Sequence, residues 1–322
     1  MKVLIYTQYG PPEKVLQIQE YDLPVPKQDE IMIKIVATAV NDYDWAAVIG
    51  KPYLYRLLFG LFKPKRPILG MELAGVISAV GAEVNGLKVG DAIYGDISDH
   101  GFGSFAEYIC INSNVVRKIP KGMDMIHAAA LPHASLLALQ AFDKVNLQPR
   151  QKVLINGGGG GVGTFALQLA KMKNCTVTGV DSREKLDYML SLGFDKVLDY
   201  KKQDFTKNGP QYDVILDCKT NRTVFAYKRA LEPNGKYVSI GGKLSSLLSL
   251  LFLGKMLSAF TSKKFQILAL RPNKGLDRIG ELFTQNKLKC AIDGPHPFEE
   301  LPRLIQYFGK GKHQGKIVVK LT

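Results

Sequence analysis

The sequence predicts an α/β protein of two lobes, and three observations predict it. A short apolar run, Val153–Asn156, ends in five consecutive glycines and is followed by helical spacing over Thr164–Lys173. Strand-like and helical stretches then alternate, which implies a parallel, doubly wound sheet. Before that point, up to about residue 124, the chain is mostly β-branched alternating runs punctuated by Pro and Gly.

In the first lobe, strand-like runs fall at Val3–Tyr6, Glu30–Ala39, Glu72–Val80, Val89–Gly95 and Ser104–Ile111. Proline and glycine separate them, as at Tyr9–Pro12 and Leu23–Pro26. In the second lobe the glycine run leads. Gly158, Gly160 and Gly163 fill the three positions of a dinucleotide-binding strand–turn–helix, with Gly161 and Val162 between them. The first glycine is expected to permit the sharp turn, the second to let backbone approach a pyrophosphate, and the third to let helix pack on strand. The helix start offers unpaired N–H groups to phosphate.

Thr176–Val180 reads as the next strand, and Asp181 follows at its C-terminal edge, where a carboxylate can meet an adenosine ribose. Further strands are expected at Lys196–Tyr200, Tyr212–Asp217, Lys236–Gly241 and Phe265–Leu270, with helices over Arg183–Leu192 and Arg222–Leu231. A helix near Glu299–Phe308 and a last strand, Lys316–Leu321, return to the first lobe. The expected division is therefore 1–124 with 273–322, and 125–272.

Composition narrows the function classes. The chain has 322 residues, 46% of them hydrophobic, with mean hydropathy −0.02, which suits a globular protein with an ample core. Met1–Tyr6 reads as a strand cut off by Gln8, so no secretory segment is expected. Cys110, Cys175, Cys218 and Cys290 are scattered without metal-ligand spacing, which fits a reduced, cytoplasmic setting. The net charge of +14 is spread along the chain, with neither a basic face nor stacking aromatics, and nucleic acid is not expected as a partner. Leu244–Phe260 is leucine-rich but interrupted by Gly254 and Lys255, and reads as a buried or lid helix rather than a membrane span. Tyr53–Arg66 mixes aromatic, leucine and basic residues and reads as a lid. A subunit contact or a peripheral membrane patch is the less favoured reading there.

Several motifs together resemble the medium-chain dehydrogenase/reductase superfamily, and within it the zinc-free quinone oxidoreductase branch. They are Gly10–Glu13, Ala39–Asp44, Ile68–Val76, Val80–Gly81, Val89–Asp91, Gly103–Tyr108, Ala129–Ala141, the glycine run and His313–Val318. The resemblance runs from end to end. It implies a GroES-like β-rich catalytic domain plus a Rossmann domain, and a homodimer.

The departures from the zinc-dependent relatives bear on the chemistry. Asn41 stands where they place a Cys, Met71 where they place a His, and His133 near their second Cys; the structural-zinc lobe is missing. No zinc or other metal is therefore expected, since a catalytic zinc site takes three good ligands and an open position. The resemblance implies hydride transfer from a nicotinamide to a quinone or α,β-unsaturated carbonyl. Alternatives are a nucleotide-retaining interaction protein, membrane-associated or not, and an enoyl-thioester reductase. Asn41 matches an Asn that lies near the nicotinamide in that branch and could orient the ring or meet substrate oxygen. Tyr43 is a candidate hydrogen-bond donor. For the cofactor, Asp181 favours NAD, while Ser182, Arg183 and Lys185 offer phosphate donors. Lys185 and Tyr200 match the pair that flanks a 2′-phosphate in the NADPH-using relatives. NADP(H) is expected over NAD(H), and Gly241 closes the set of cofactor-binding candidates.

Overall fold

A computed structural model describes residues 1–51, 53, 56–209 and 211–321. The chain forms two compact units, one of Met1–His133 with Pro272–Thr322 and one of Ala134–Arg271. The strands of the first stretch are β1 (Lys2–Tyr6), β2 (Leu16–Glu20), β3 (Glu30–Ala39), β4 (Glu72–Val80), β5 (Ala92–Asp96), β6 (Tyr108–Asn112) and β7 (Arg117–Lys118). Those of the second unit are β8 (Lys152–Asn156), β9 (Thr176–Asp181), β10 (Lys196–Asp199), β11 (Tyr212–Asp217), β12 (Leu231–Ser239) and β13 (Lys264–Ile267). The returning stretch adds β14 (Ile292–Pro297) and β15 (Lys316–Lys320).

In the first unit the strands follow the order β14-β15-β3-β4-β5-β7, with β6 also pairing β3, and β1 pairs β2 separately. β3 alternates: Ile31, Ile33 and Ile35 are buried while Lys34 is exposed, the period-2 pattern of a strand with one face on a core. That core joins Ile33, Leu73 and Ile93 to Ile317 and Val319 of the returning strand. β15 lies antiparallel to β3, with Val318 opposite Ala39. This register carries Lys316, the first residue of β15, to the end of β3 from which Asn41 follows.

In the second unit all strand pairs are parallel, in the order β10-β9-β8-β11-β12-β13. β8, β9 and β10 run outward in one direction and β11 to β13 in the other, so the order reverses between β8 and β11. Open α/β sheets bind ligands beyond the carboxyl ends of their strands at such a reversal. Val153, Leu154, Ile155, Val214, Ile215 and Leu216 are fully buried, as strands covered on both faces require.

Some elements differ from the sequence expectation. The helix after the glycines begins earlier, at Gly161, and ends at Lys171, because Gly160 is its extended N-cap (φ −93°, ψ 176°). The last strand of the parallel sheet is short, Lys264–Ile267 rather than 265–270. Leu244–Phe260 is helical throughout, with a π-helical turn at Leu250–Gly254. It is neither buried nor a span: Leu250 and Leu257 pack inward while Leu251, Phe252 and Phe260 stay exposed. No helix of the described residues is long and apolar enough to cross a membrane. Of the expected lid at 53–66, residues 54 and 55 lie outside the described residues; Arg56–Phe59 form a single helical turn.

Candidate functional sites in the two units

In the first unit, β3 ends at Ala39 and the helix Asp42–Ile49 starts two residues later, with Asn41 as its extended N-cap (φ −129°, ψ 172°). The Asp44 carboxylate accepts the Asn41 N–H at 2.8 Å and the Gly70 N–H at 3.0 Å, which fixes the helix start against the segment before β4. Burial pushes the Asp44 carboxyl up to about 7, against the two backbone N–H bonds that favour its charged form.

The Asn41 side chain is buried and engaged at both ends. Its Nδ2 donates to Glu72 Oε1 at 2.9 Å and to the Ala39 carbonyl at 3.3 Å. Its Oδ1 accepts from Lys316 Nζ at 2.5 Å, and the same ammonium lies 2.5 Å from Glu72 Oε1. The second oxygen of Glu72 accepts the His133 N–H at 2.8 Å. The Asn41 amide thus has its orientation set by a buried ion pair. Neither Lys316 nor Glu72 stood among the expected site residues. A lysine leading directly into the apolar run Ile317–Val319 was the available signal, because a buried ammonium there needs a counter-charge.

These donors do not fit a zinc ion. The Lys316 ammonium already occupies the oxygens of Asn41 and Glu72, and a divalent cation beside it would be repelled. His133 spends Nδ1 on Asp96 Oδ2 at 2.8 Å. Among the described residues, no three His, Cys, Asp or Glu side chains are grouped to hold a metal.

The His133–Asp96 pair is buried. Burial opposes both charges, but the hydrogen bond and attraction between the partners prevail: the His133 imidazole is raised above its usual range and the Asp96 carboxyl lowered below its own. The nearby Glu72 raises His133 further, and Lys316 opposes it. A raised histidine contributes stability that is complete below its unfolded value and is lost as pH rises through the folded one. A lowered carboxyl contributes stability that is lost as pH falls through its folded value. The pair therefore stabilises fully between about pH 4 and about pH 6.5. The thermal midpoint of the wild type is expected to decline on the alkaline side of that window, and His133→Asn to remove the decline. Identical slopes for the two proteins between pH 6 and 9 would show that another group sets the profile.

Tyr43, in the first turn of the same helix, is half-exposed. Its ring meets Phe59 edge-on at 6.4 Å and Phe102 at 6.5 Å. Phe59 and Phe102 line a cavity of about 380 Å³ with Tyr6, Leu69, Lys65 and Arg66. Its size and aromatic walls suit a small planar molecule.

In the second unit the glycine loop joins β8 to the helix Gly161–Lys171. The residue with the turn conformation is Gly157 (φ +97°), not Gly158 as the spacing suggested. Gly158 is instead closely packed: a Cβ there would meet Met189 Cε, the movable end of a side chain, at 2.6 Å and Phe194 Cζ at 3.0 Å. A Cβ on Gly163 would lie 2.4 Å from the Gly157 carbonyl oxygen and 2.5 Å from that of Gly158, so helix and turn touch through bare backbone. Val162 and Gly161 occupy the first turn of the helix, beside these N–H groups.

The Asp181 carboxylate folds back onto this loop. Its Oδ2 accepts the Gly159 N–H at 3.0 Å and its Oδ1 the Ser182 N–H at 2.9 Å, while the buried Lys185 ammonium lies 3.9 Å from Oδ1. Tyr200 is brought alongside by β10, its N–H bonded to the Asp181 carbonyl at 3.2 Å, and its ring is exposed. Arg183 is exposed and pairs with Asp187 at 3.4 Å, one turn along its own helix. At the reversal of the sheet, Asn156 at the end of β8 donates to Asp217 at the end of β11, at 2.8 Å. Asp217 also takes the N–H groups of Lys219 and Thr220 and the Tyr237 hydroxyl. The Gly241 carbonyl accepts from Thr220 and from Ser239. The structure thus places Asp181, Ser182, Lys185 and Tyr200 around the glycine loop, and adds Gly157, Asn156 and Asp217, which the sequence reading did not single out.

Residues 27–121 match the alcohol dehydrogenase GroES-like domain family, and residues 192–319 the zinc-binding dehydrogenase family. The 2-methylene-furan-3-one reductase of Solanum lycopersicum is 31% identical over 99% of this chain and 79% of its own length. The NADPH-dependent alkenal/one oxidoreductase of Arabidopsis thaliana chloroplasts is 29% identical over the same shares. The solved quinone oxidoreductase of Coxiella burnetii superposes with a TM-score of 0.89 at 25% identity, covering 100% of this chain and 99% of that one.

Proposed function

The chain belongs to the medium-chain dehydrogenase/reductase superfamily, in its quinone oxidoreductase branch, and on that premise we propose that it reduces quinones or α,β-unsaturated carbonyls with a nicotinamide dinucleotide, NADPH in preference to NADH. One observation carries the choice of reaction: an ammonium, Lys316, is lodged between Asn41, which by the resemblance stands where zinc-dependent relatives place a Cys, and Glu72, the residue after Met71, which stands where they place a His. A fixed internal cation already paired with Glu72 and bonded to Asn41 is a weaker means of drawing an alcohol toward alkoxide than a metal ion with an open position. An acceptor that is already electron-poor needs no such help.

The residues present fit a dinucleotide. The glycine loop offers backbone that a Cβ would block, and the helix start at Gly161 supplies N–H groups for a pyrophosphate. When bound, the dihydronicotinamide supplies the hydride. Lys185 is the expected partner of a 2′-phosphate, with Tyr200 and Ser182 beside it. With the Asp181 carboxylate held by Gly159 and Lys185, its repulsion of a phosphate is reduced. In the first unit, the walls of Phe59 and Phe102 take the planar acceptor and exclude water. Tyr43 is the hydrogen-bond donor to the oxygen that gains charge. Asn41, with both ends of its amide held by Glu72 and Lys316, is the residue expected from the resemblance to orient the nicotinamide ring or meet the substrate oxygen.

The test is oxidation of NADPH and of NADH against a benzoquinone, a naphthoquinone, an alkenal and a simple ketone. Quinone or alkenal is expected to be consumed and the ketone left. Lys185→Ala is expected to raise KM for NADPH by about tenfold or more, the worth of a charge-assisted hydrogen bond, and to spare NADH. Turnover of the ketone, or activity lost on chelation, would overturn the reaction. An equal effect on both nucleotides would overturn the NADPH preference.

A further inference from the structure

We infer that the acceptor carries a carboxylate and that Lys65 and Arg66 select it; the inference rests on the cavity beside Tyr43 being the acceptor site. The lining joins Tyr6, Phe59, Leu69 and Phe102 to these two cations and, among the described residues, holds no acid. The basic pair is built into the wall. The Lys65 N–H bonds to the Phe59 carbonyl at 2.7 Å, and one residue past Arg66 the Pro67 carbonyl accepts the Tyr6 N–H of β1 at 3.0 Å. The Arg66 guanidinium carbon lies 5.9 Å from the centre of the Phe102 ring. It is so near Gly101 that a Cβ there would stand 3.0 Å from Nη1. The loop holds this arrangement under strain: Gly101, Phe102 and Gly103 have φ of +112°, +66° and +124°. A bulky residue such as Phe102 rarely takes that conformation, and residues strained in this way cluster at ligand sites.

The charge on this wall is unanswered. No Asp or Glu occurs between Asp44 and Glu72, whereas Lys51, Arg56, Lys63, Lys65 and Arg66 do. Arg56 is already engaged: its Nε donates to the Gly50 carbonyl at 3.0 Å, and its guanidinium lies 4.4 Å from the centre of the Tyr9 ring. Lys65 and Arg66 are exposed and form no ion pair among the described residues. Even Asp99, in the turn just before Gly101, is not paired with Arg66. A neutral quinone or enone uses the aromatic walls and leaves both cations idle. An acceptor with a carboxylate on a short arm uses both parts: its ring packs against Phe59 and Phe102, and its carboxylate meets the guanidinium, whose planar fork takes it through two parallel N–H bonds. A volume of about 380 Å³ admits one ring with such an arm.

The experiment compares a benzoquinone bearing a carboxypropyl arm with the methyl ester of the same compound, as acceptors in NADPH oxidation. Alongside it, the protein is titrated calorimetrically with naphthylpropionate and with its amide, which accept no hydride. The quinone acid is expected to exceed its ester in kcat/KM by about tenfold or more, and the naphthyl acid to bind tighter than its amide by the same factor, as one hydrogen bond to a charged group gives. Both ratios are expected to shrink with added salt, because the cations are exposed. Arg66→Gln is expected to cut each ratio by at least about fivefold, and Lys65→Gln with Arg66→Gln to bring each close to one. Equal kcat/KM for quinone acid and ester overturns the inference and leaves the proposed reaction standing. If neither quinone is reduced but the naphthyl acid still outbinds its amide through Arg66, the proposed reaction falls and the charge preference holds. An acid preference that the double variant leaves intact, or an advantage of the naphthyl acid that Lys185→Ala removes instead, overturns the inference.

Discussion

Lys316→Met is expected to destabilise the first unit by about 3–5 kcal/mol, the largest effect of any single side-chain change at the candidate site. The substitution leaves Glu72, fully buried, with its carboxylate facing the Asn41 amide and the His133 N–H but without the ammonium that pairs with it. A buried carboxylate without its ammonium then bears its desolvation cost with less to offset it. The pair itself, judged against a well-packed apolar substitute, is worth far less than its breakage suggests. Lys316→Met combined with Glu72→Gln is therefore expected to recover most of the loss. Urea unfolding of both proteins reads the difference. If the single and double variants unfold at the same midpoint, the Lys316–Glu72 attraction is not what holds this part of the fold. The single variant should also lose turnover by more than its folded fraction explains, because Asn41 Oδ1 then loses its donor and the amide is held at its Nδ2 end only.

Gly163→Ala is expected to weaken nucleotide binding by at least about a hundredfold. The added carbon falls 2.4 Å from one backbone carbonyl oxygen and 2.5 Å from the next. Neither is the movable end of a side chain, so the helix must withdraw from the turn and carry its N-terminal N–H groups away from the phosphates. Calorimetric titration with NADPH measures the change, and near-UV circular dichroism confirms that the protein titrated is folded. Affinity within threefold of wild type would mean that the pyrophosphate does not sit on this helix start.

The parts of the molecule that were readable in the sequence are those written in local pattern. Val153–Asn156 and the glycines announce the strand and turn because burial on both faces needs an unbroken apolar run. The alternation of β3, with Lys34 between buried isoleucines, announces a half-covered strand. The site around Asn41 was only half readable. Asn41 and Lys316 are 275 positions apart, and no periodicity links them; only the antiparallel register of β15 on β3 does. Gly157 was passed over because one glycine among five is indistinguishable by residue type, whereas a positive φ belongs to one of them. The outer face of Leu244–Phe260 was hidden for the opposite reason. Both its faces are apolar, so the leucine-rich run has no amphipathic period to separate a buried side from an exposed one.

The two units are threaded differently, and that sets an order on biosynthesis. Ala134–Arg271 is one uninterrupted stretch and is complete as soon as it clears the ribosome, whereas the other unit is assembled from both flanks of it. Glu72 emerges early, and Lys316 follows on the order of 10–50 s later at ordinary translation rates. Through that interval β3 lacks its neighbour β15, and the side of Ala37–Ala39 that faces away from β4 has no strand to pair with. The nascent chain thus waits with a nucleotide lobe already formed and a partner lobe whose innermost charge is still unanswered.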